Sequence, residues 1–424
     1  MRRALTLAGA VLLASAVPAA AAHAQATGPA PQLGEGRPQP GSRPLAIPHA
    51  IPTPVTRAGA RALAVRTARS VMQRNPQTHR RWDYTQGVIL GAIEQVGLTT
   101  RSPRMLAYVR ENMDRWVRPD GGIVGYEMEE HNLDHVAQGT LLFGLAARTG
   151  DARYMKAAAT LREQLRTQPR TPEGGFWHKR IYPQQMWLDG LYMAEPFYAR
   201  YATATRDTAA FTDIARQFLL VARHTRDPRT GLMYHAWDAA RAQPWADSLT
   251  GLSRNFWGRA MGWYLVGVVE TLDHFPAGHP GRAAIIETFR QAAAAVVQVQ
   301  DPVTGLWWDV LDQPNREGNY LEASASSMFA YALAKGARLG YLEPRYRDIA
   351  ARALGGIRAN LLREQPDGTL SLVNIVAVSG LGGSPRKDGS LRDGTFGYYV
   401  SEPVVTDDYK GVGPFILAAL ELSR

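Results

Sequence analysis

The chain has 424 residues, no cysteine, and 48 basic against 38 acidic side chains, for a formal charge of +10. Without cysteine, disulfides and thiolate metal sites are excluded. A basic surface can attract acidic sugars, nucleic acid or membrane, but Lys and Arg form no dense block. That argues against nucleic acid and leaves an ordinary solvated surface or an acidic substrate.

Arg2 and Arg3 open the chain, an apolar stretch runs from Ala4 to about Ala21, and Ala22-His23-Ala24 has a small-x-small pattern. Residues 1–24 therefore read as a secretory signal peptide cleaved after Ala24. A retained anchor is the alternative, and Pro18 and the alanine-rich end argue against it. Residues 25–55 are rich in Pro, Gly and Ala and read as a disordered linker. No other long apolar run follows, so the mature chain is expected to be soluble and free of membrane contact. One catalytic domain is expected over 56–424.

Within it the apolar spacing predicts six helix pairs. They are Arg57 to Gln73 with Trp82 to Val96, Met105 to Trp116 with Leu133 to Arg148, and Ala152 to Arg166 with Leu188 to Thr203. Then come Thr208 to Arg223 with Asn255 to His274, Ala283 to Gln300 with Ala323 to Arg338, and Arg345 to Leu362 with Val412 to Leu422. Gly150 and Gly340 sit where helices should stop. The second member of each pair is the more apolar, as in Gly139 to Ala147 and Trp263 to Leu272, and should be buried. Strict alternation of buried and outer helices implies an all-α, closed (α/α)6 barrel, six inner and six outer; an open solenoid is the runner-up. Related turns at Pro119, Pro172, Asp227, Asp301 and Pro366 precede inner helices, and the first four lead into short aromatic strands or loops. Their uneven spacing marks a structural repeat rather than a tandem one.

In such a barrel the inner-helix N-termini share one rim. Trp82, Tyr84, His131, Asp134, His178, Lys179, Trp187, Asp189, His235, Trp257, Arg259 and Trp263 should converge there. Polar, charged and aromatic side chains in front of apolar helix bodies suit a carbohydrate cleft.

The segments HNLDH (His131 to His135), Phe176 to Phe197 with its WLDGLYM, GLMYHAWD (Gly231 to Asp238) and FWGRAMGWY (Phe256 to Tyr264) resemble glycoside hydrolase family 105. So do Glu322 to Leu342 and Asp407 to Phe415. These are the unsaturated rhamnogalacturonyl hydrolases, with the unsaturated glucuronyl hydrolases of family 88 as more distant relatives. The resemblance covers nearly the whole mature chain. It implies the same barrel, an acidic oligosaccharide left by a polysaccharide lyase as substrate, and no metal or organic cofactor. It also implies hydration of the C4=C5 vinyl ether of the terminal unsaturated uronyl residue. Small oligosaccharide substrates favour the periplasm over full secretion. The pattern specifies no oligomeric state.

By the resemblance Asp189 is the general acid/base. Its surroundings suit an acid, since aromatic walls help a carboxyl keep its proton while a helix N-terminus opposes this. An N-cap is the other reading. Pro196 inside the same helix predicts a kink or a late start. Asp134 matches the second family carboxylate, expected to orient sugar or water and to act on Asp189, or else to cap. His235, Arg259 and Lys179 are matching polar contacts, with His178 beside them; one should grip the uronate carboxylate, or each could be a structural ion-pair partner. Trp257, Trp263, Trp187, Trp82 and Tyr84 are candidates to stack on the sugar, two or three in the cleft and the rest in the core. Met193 lines the pocket or the core. Asp407 and Asp408 read as caps, Asp238 and Asp247 as loop acids, and Asp309 and Asp312 as core or distal-subsite acids. HExxH, P-loop, dinucleotide and GxSxG motifs are missing, and the ten histidines do not fall at metal-ligand spacing. A lyase or a non-catalytic sugar-binding barrel remains as a competing class.

Overall fold

A computed structural model describes residues 42–78, 81–383, 385 and 389–424; the leader and residues 25–41 of the linker lie outside them. The first helix pair is α1 (Arg57–Arg74) and α2 (Tyr84–Thr100), and the second α3 (Pro103–Asp114) and α4 (Thr140–Thr149). Next come α5 (Arg153–Thr167) with α6 (Leu188–Thr205), α7 (Ala210–Thr225) with α8 (Gly258–Leu272), and α9 (Gly281–Gln298) with α10 (Ala323–Arg338). The sixth pair starts with α11 (Arg345–Asn360), passes the short α12 (Phe396–Ser401), and ends in α13 (Tyr409–Leu422). Gly150 and Gly340 stop their helices in left-handed geometry, φ 71° and 74°.

The inner ring is α2, α4, α6, α8, α10 and α13. Each touches the next, and α13 returns to α2, so the barrel is closed and the open solenoid is excluded. Two glycines allow the closest crossings. A Cβ on Gly413 of α13 would lie 2.5 Å from Val88 of α2, and one on Gly267 of α8 would lie 3.1 Å from the Tyr192 nitrogen of α6. Helices α8 and α10 are buried nearly all round, whereas the outer helix α7 buries one stripe. Each fully buried Trp, Phe or Leu in that core stabilises by roughly 1.5–3 kcal/mol.

Three short antiparallel pairs lie at the helix ends: β1 (Gln185–Trp187) with β2 (Ala236–Asp238), β3 (Leu362–Glu364) with β4 (Leu370–Leu372), and β5 (Ile375–Val376) with β6 (Val404–Val405). Two inner helices start later than their apolar spacing suggests. Leu133 to Gly139 forms 3-10 turns ahead of α4, because the Leu133 amide donates to the His178 carbonyl at 3.1 Å. Helix α8 begins at Gly258, whose amide donates to the Asp309 carbonyl at 2.7 Å. In both cases a neighbouring loop competes for the first-turn backbone. Pro196 does not delay α6, which is assigned without a break from Leu188. One internal hydrogen bond is lost there.

Residues 42–55 of the expected linker are extended and docked. The Leu45 amide donates to Asn374 Oδ1 at 2.8 Å and Asn374 Nδ2 returns a bond to the Leu45 carbonyl at 3.0 Å. Asn360 pairs with the backbone of Ala50 in the same way. Both asparagines are buried, so these bonds meet their polar demand, and ordered chain begins ahead of residue 56.

Candidate active site

Five of the six inner helices start near an acid, and most of these acids do local structural work. Asp83 caps α2, Glu322 caps α10 and Asp408 caps α13, each accepting from an amide of its own helix. Asp134 and Asp189 do not. The turn at Asp134 is capped instead by Asn132, whose Oδ1 accepts from the Asp134 amide at 3.0 Å. Asp189 is the second residue of α6, where Trp187 holds the cap position and no side chain caps. The capping alternative therefore fails for both, and both carboxylates are free to face the rim.

Asp134 faces cations. Lys179 Nζ lies 2.5 Å from its Oδ2 and His178 Nε2 lies 3.4 Å from its Oδ1. The backbone bond from Leu133 to His178 places the two segments side by side. Burial drives the Asp134 carboxyl upward, but Lys179, His178 and His135 more than offset this and hold it below the ordinary value. Burial works against the Lys179 ammonium too, and Asp134 still holds its pKa above normal. His178 is the reverse case: burial pulls it down to about 4, so the ring is neutral near pH 7. The charge of Asp134 is thus balanced by Lys179, which suits orientation of a hydroxyl or water.

Asp189 meets His235. The β1–β2 pairing sets Trp187 opposite Ala236, and the Leu188 amide donates to the His235 carbonyl at 3.1 Å. This brings His235 Nε2 to 3.2 Å from Asp189 Oδ2. The angle makes no hydrogen bond, and both atoms are buried without a partner. On its other side His235 Nδ1 bonds the Tyr399 hydroxyl at 2.9 Å. Burial, with Asp309, Asp189 and Asp393 nearby, raises Tyr399 well above the usual tyrosine value, so it remains a neutral hydroxyl. Tyr399, on α12, is a site residue that sequence patterning misses. It lies 164 residues from His235 in a Gly-rich stretch without periodicity.

The aromatics divide. Trp187 stacks on His178 at 4.8 Å and on Tyr182 at 4.9 Å, and packs edge-on to His235. Trp257 packs on His235 and Tyr399 and donates to Asp309 Oδ1 at 3.0 Å. Tyr84 is half-buried, and burial together with Asp134 and Asp83 raises its pKa well above normal. Trp82 is sealed beneath the site, donating to the His135 carbonyl at 2.7 Å, and Trp263 is buried against Tyr84 and Tyr192. Met193 is also core. These three are placed for packing rather than for sugar contact.

For Arg259 the structure favours the structural-partner alternative. It is 1 % exposed and donates to Ser324 Oγ at 2.8 Å and to the carbonyls of Val376 and Ala377, with Glu322 at 3.7 Å. Its guanidinium ties β5 to α8 and α10, and protein groups occupy the donors expected for a substrate carboxylate. Lys179, 21 % exposed, is the more accessible cation.

Of the weaker acids, Asp309 is fully buried, Asp238 accepts from the amides of Ala240, Ala242 and Gln243, and Asp247 shapes its own exposed loop. Among the described residues no group of three His, Asp or Glu is arranged to hold a metal ion, and no helix is long and apolar enough to cross a membrane. A groove of about 640 Å³ on the outer wall, between α7 and the start of α9, is lined by no carboxylate.

Comparison with known proteins agrees with this fold. Residues 61–424 match the profile of Glycosyl Hydrolase Family 88. A family 105 glycoside hydrolase structure from C. acetobutylicum ATCC 824 is 43% identical, covers 85% of this chain and 98% of its own, and superposes with a TM-score of 0.81. The unsaturated rhamnogalacturonyl hydrolase YesR of Bacillus subtilis (strain 168) is 31% identical over 66% of this chain and 78% of its own. Protein Atu3128 of Agrobacterium fabrum is 40% identical over 54% of this chain and 97% of its own. The closed ring of paired helices and this similarity together establish that the chain is a glycosidase belonging to the family 88 and 105 glycosyl hydrolases.

Proposed function

We propose that the chain removes the terminal 4,5-unsaturated galacturonyl residue from rhamnogalacturonan oligosaccharides. Asp189 gives its proton to C4, and the π electrons form the new C–H bond. Positive charge develops at C5 and the ring oxygen. A water adds at C5 and returns a proton to the Asp189 carboxylate. The hemiketal opens to a C5 ketone, and the hemiacetal left at C1 releases the remaining oligosaccharide. Asp134, paired with Lys179, orients the water or a sugar hydroxyl, and Lys179 offers the uronate carboxylate a cation. Trp187 and Tyr84 flank the ring.

The observation that carries this reading is the Asp189 carboxylate: it is unused by its own helix, its Oδ2 is buried and unpartnered, and His235 stands beside it. The similarity to YesR supports the rhamnogalacturonyl substrate. A second reading takes unsaturated glucuronate from other acidic polymers. A heparin-specific unsaturated glucuronyl hydrolase shares the fold, at 15% identity and a TM-score of 0.64.

The test follows the ultraviolet absorbance of the conjugated uronate. It should fall when lyase-made rhamnogalacturonan oligosaccharides are supplied, and Asp189→Asn should abolish the fall while folding and binding persist. A rise on intact polymer would mean a lyase instead. Near-normal turnover by Asp189→Asn would remove Asp189 from the mechanism.

A further inference from the structure

Beneath Trp187 lies a small cavity lined by Leu133, His178, Gly190, Leu191, Glu195 and Gln217 among others, with about 10 Å³ open to the centre of a water molecule. That is room for one water. Two of its lining polar atoms, His178 Nδ1 and Glu195 Oε2, are buried and lack a hydrogen-bond partner. Gly190 leaves the floor open: a Cβ there would stand 3.3 Å from His178 Nδ1 and from Leu133, tighter than ordinary contact, and would crowd this space.

The chemistry of the neighbours fixes the direction of these bonds. His178 Nε2 faces the Asp134 carboxylate at 3.4 Å, and a carboxylate only accepts. The proton of the neutral ring therefore belongs on Nε2, and Nδ1 needs a donor. Gln217 cannot supply one: its Nε2 donates to the Gly174 carbonyl at 3.1 Å and to Asp213 Oδ1 at 3.2 Å, while its Oε1 accepts from the Phe176 amide. The remaining polar side chain is Glu195, which is 1 % exposed. Burial, reinforced by Asp213 and only partly opposed by Arg170, raises its carboxyl well above normal. Burial thus favours the protonated form of Glu195, which has a hydrogen to give.

We propose that Glu195 is a positioning residue: its carboxylic acid donates to a water in this cavity, and the water donates to His178 Nδ1. The relay fixes the His178 tautomer that turns an N–H towards Asp134. It rests on the assignment of Asp134 to the catalytic cleft, but its first readout needs no substrate. Protein labelled with ¹⁵N-histidine, with His178→Gln used to assign the resonance, should show His178 protonated on Nε2 and hydrogen-bonded at Nδ1. Glu195→Leu should shift the Nδ1 resonance and lower kcat about tenfold with KM little changed. Glu195→Gln, which keeps a neutral donor, should restore both. A proton on Nδ1 in the wild-type protein, or an unmoved Nδ1 resonance in Glu195→Leu, overturns the proposal. Should Glu195→Leu fail to fold, the wild-type tautomer and the Glu195→Gln spectrum still decide. A wild-type protein inactive on unsaturated oligosaccharides would defeat the proposed function and leave the tautomer result standing.

Discussion

Replacing Lys179 with Met removes the ammonium 2.5 Å from Asp134 Oδ2 and keeps most of the aliphatic stem. Removing one partner of a fully buried pair costs about 3–5 kcal/mol. Here the side chains are 21 % and 15 % exposed, so water recovers part of that loss and about 2–3 kcal/mol is expected. The pH dependence has a definite sign. In the wild type the Asp134 carboxyl is held below normal, so its contribution is complete above the ordinary carboxylate range and is lost as pH falls through its lowered value. In Lys179→Met the burial penalty is no longer offset and the same carboxyl rises. The deficit relative to wild type should be largest near about pH 7.5 and shrink towards about pH 5, because protonation removes the uncompensated charge. Adding Asp134→Asn should return most of the lost stability, since no buried charge then lacks a partner. Urea unfolding of the three proteins at both pH values measures all of this. A Lys179→Met variant as stable as wild type, or a deficit equal at both pH values, would refute the ion-pair account of the site.

Tyr399→Phe leaves His235 Nδ1 without its partner in a buried site, which should lower kcat roughly 5- to 100-fold if the ring must be held against Asp189. Steady-state kinetics on unsaturated oligosaccharides, with thermal unfolding as a fold control, check this; a kcat within twofold of wild type would dismiss Tyr399. The neutral His178 gives a second pH effect. Its folded value of about 4 lies below the ordinary 6.5, so the unfolded chain binds the proton first and stability falls as pH drops through that interval. By about pH 5 the loss amounts to about 2 kcal/mol. Denaturant curves should show a flatter pH dependence for His178→Gln, and identical slopes would count against a buried neutral ring.

Much of the fold is legible in the chain because helix spacing is local. The alternation of apolar and one-sided helices follows from residues three and four apart, and the glycine stops follow from φ alone. The two acids are legible as well: Asp134 and Asp189 stand at inner-helix starts within recognisable motifs. What is not local is not legible. Whether Trp82 or Trp187 meets the cleft depends on which loops cross in front of it, and both stand just ahead of an acid at an inner-helix start. Arg259 reads equally as a substrate contact or a structural partner until Val376 and Ala377, over a hundred residues downstream, deliver their carbonyls to it. Tyr399 reaches His235 only after the last loop folds back over the rim. The late starts of α4 and α8 have the same origin, since their first amides bond to other loops.

The contact between α13 and α2 carries a consequence for biogenesis. The ring is joined by residues 409–422, which are made after every other described helix of the barrel. Until then the faces of α2 and α10 that α13 covers remain open, and no earlier helix can stand in. Synthesis therefore cannot lay down a working barrel piecemeal: a nascent chain stalled short of α13 should expose greasy flanks to chaperones, and deletions within residues 409–422 should act on the whole barrel at once.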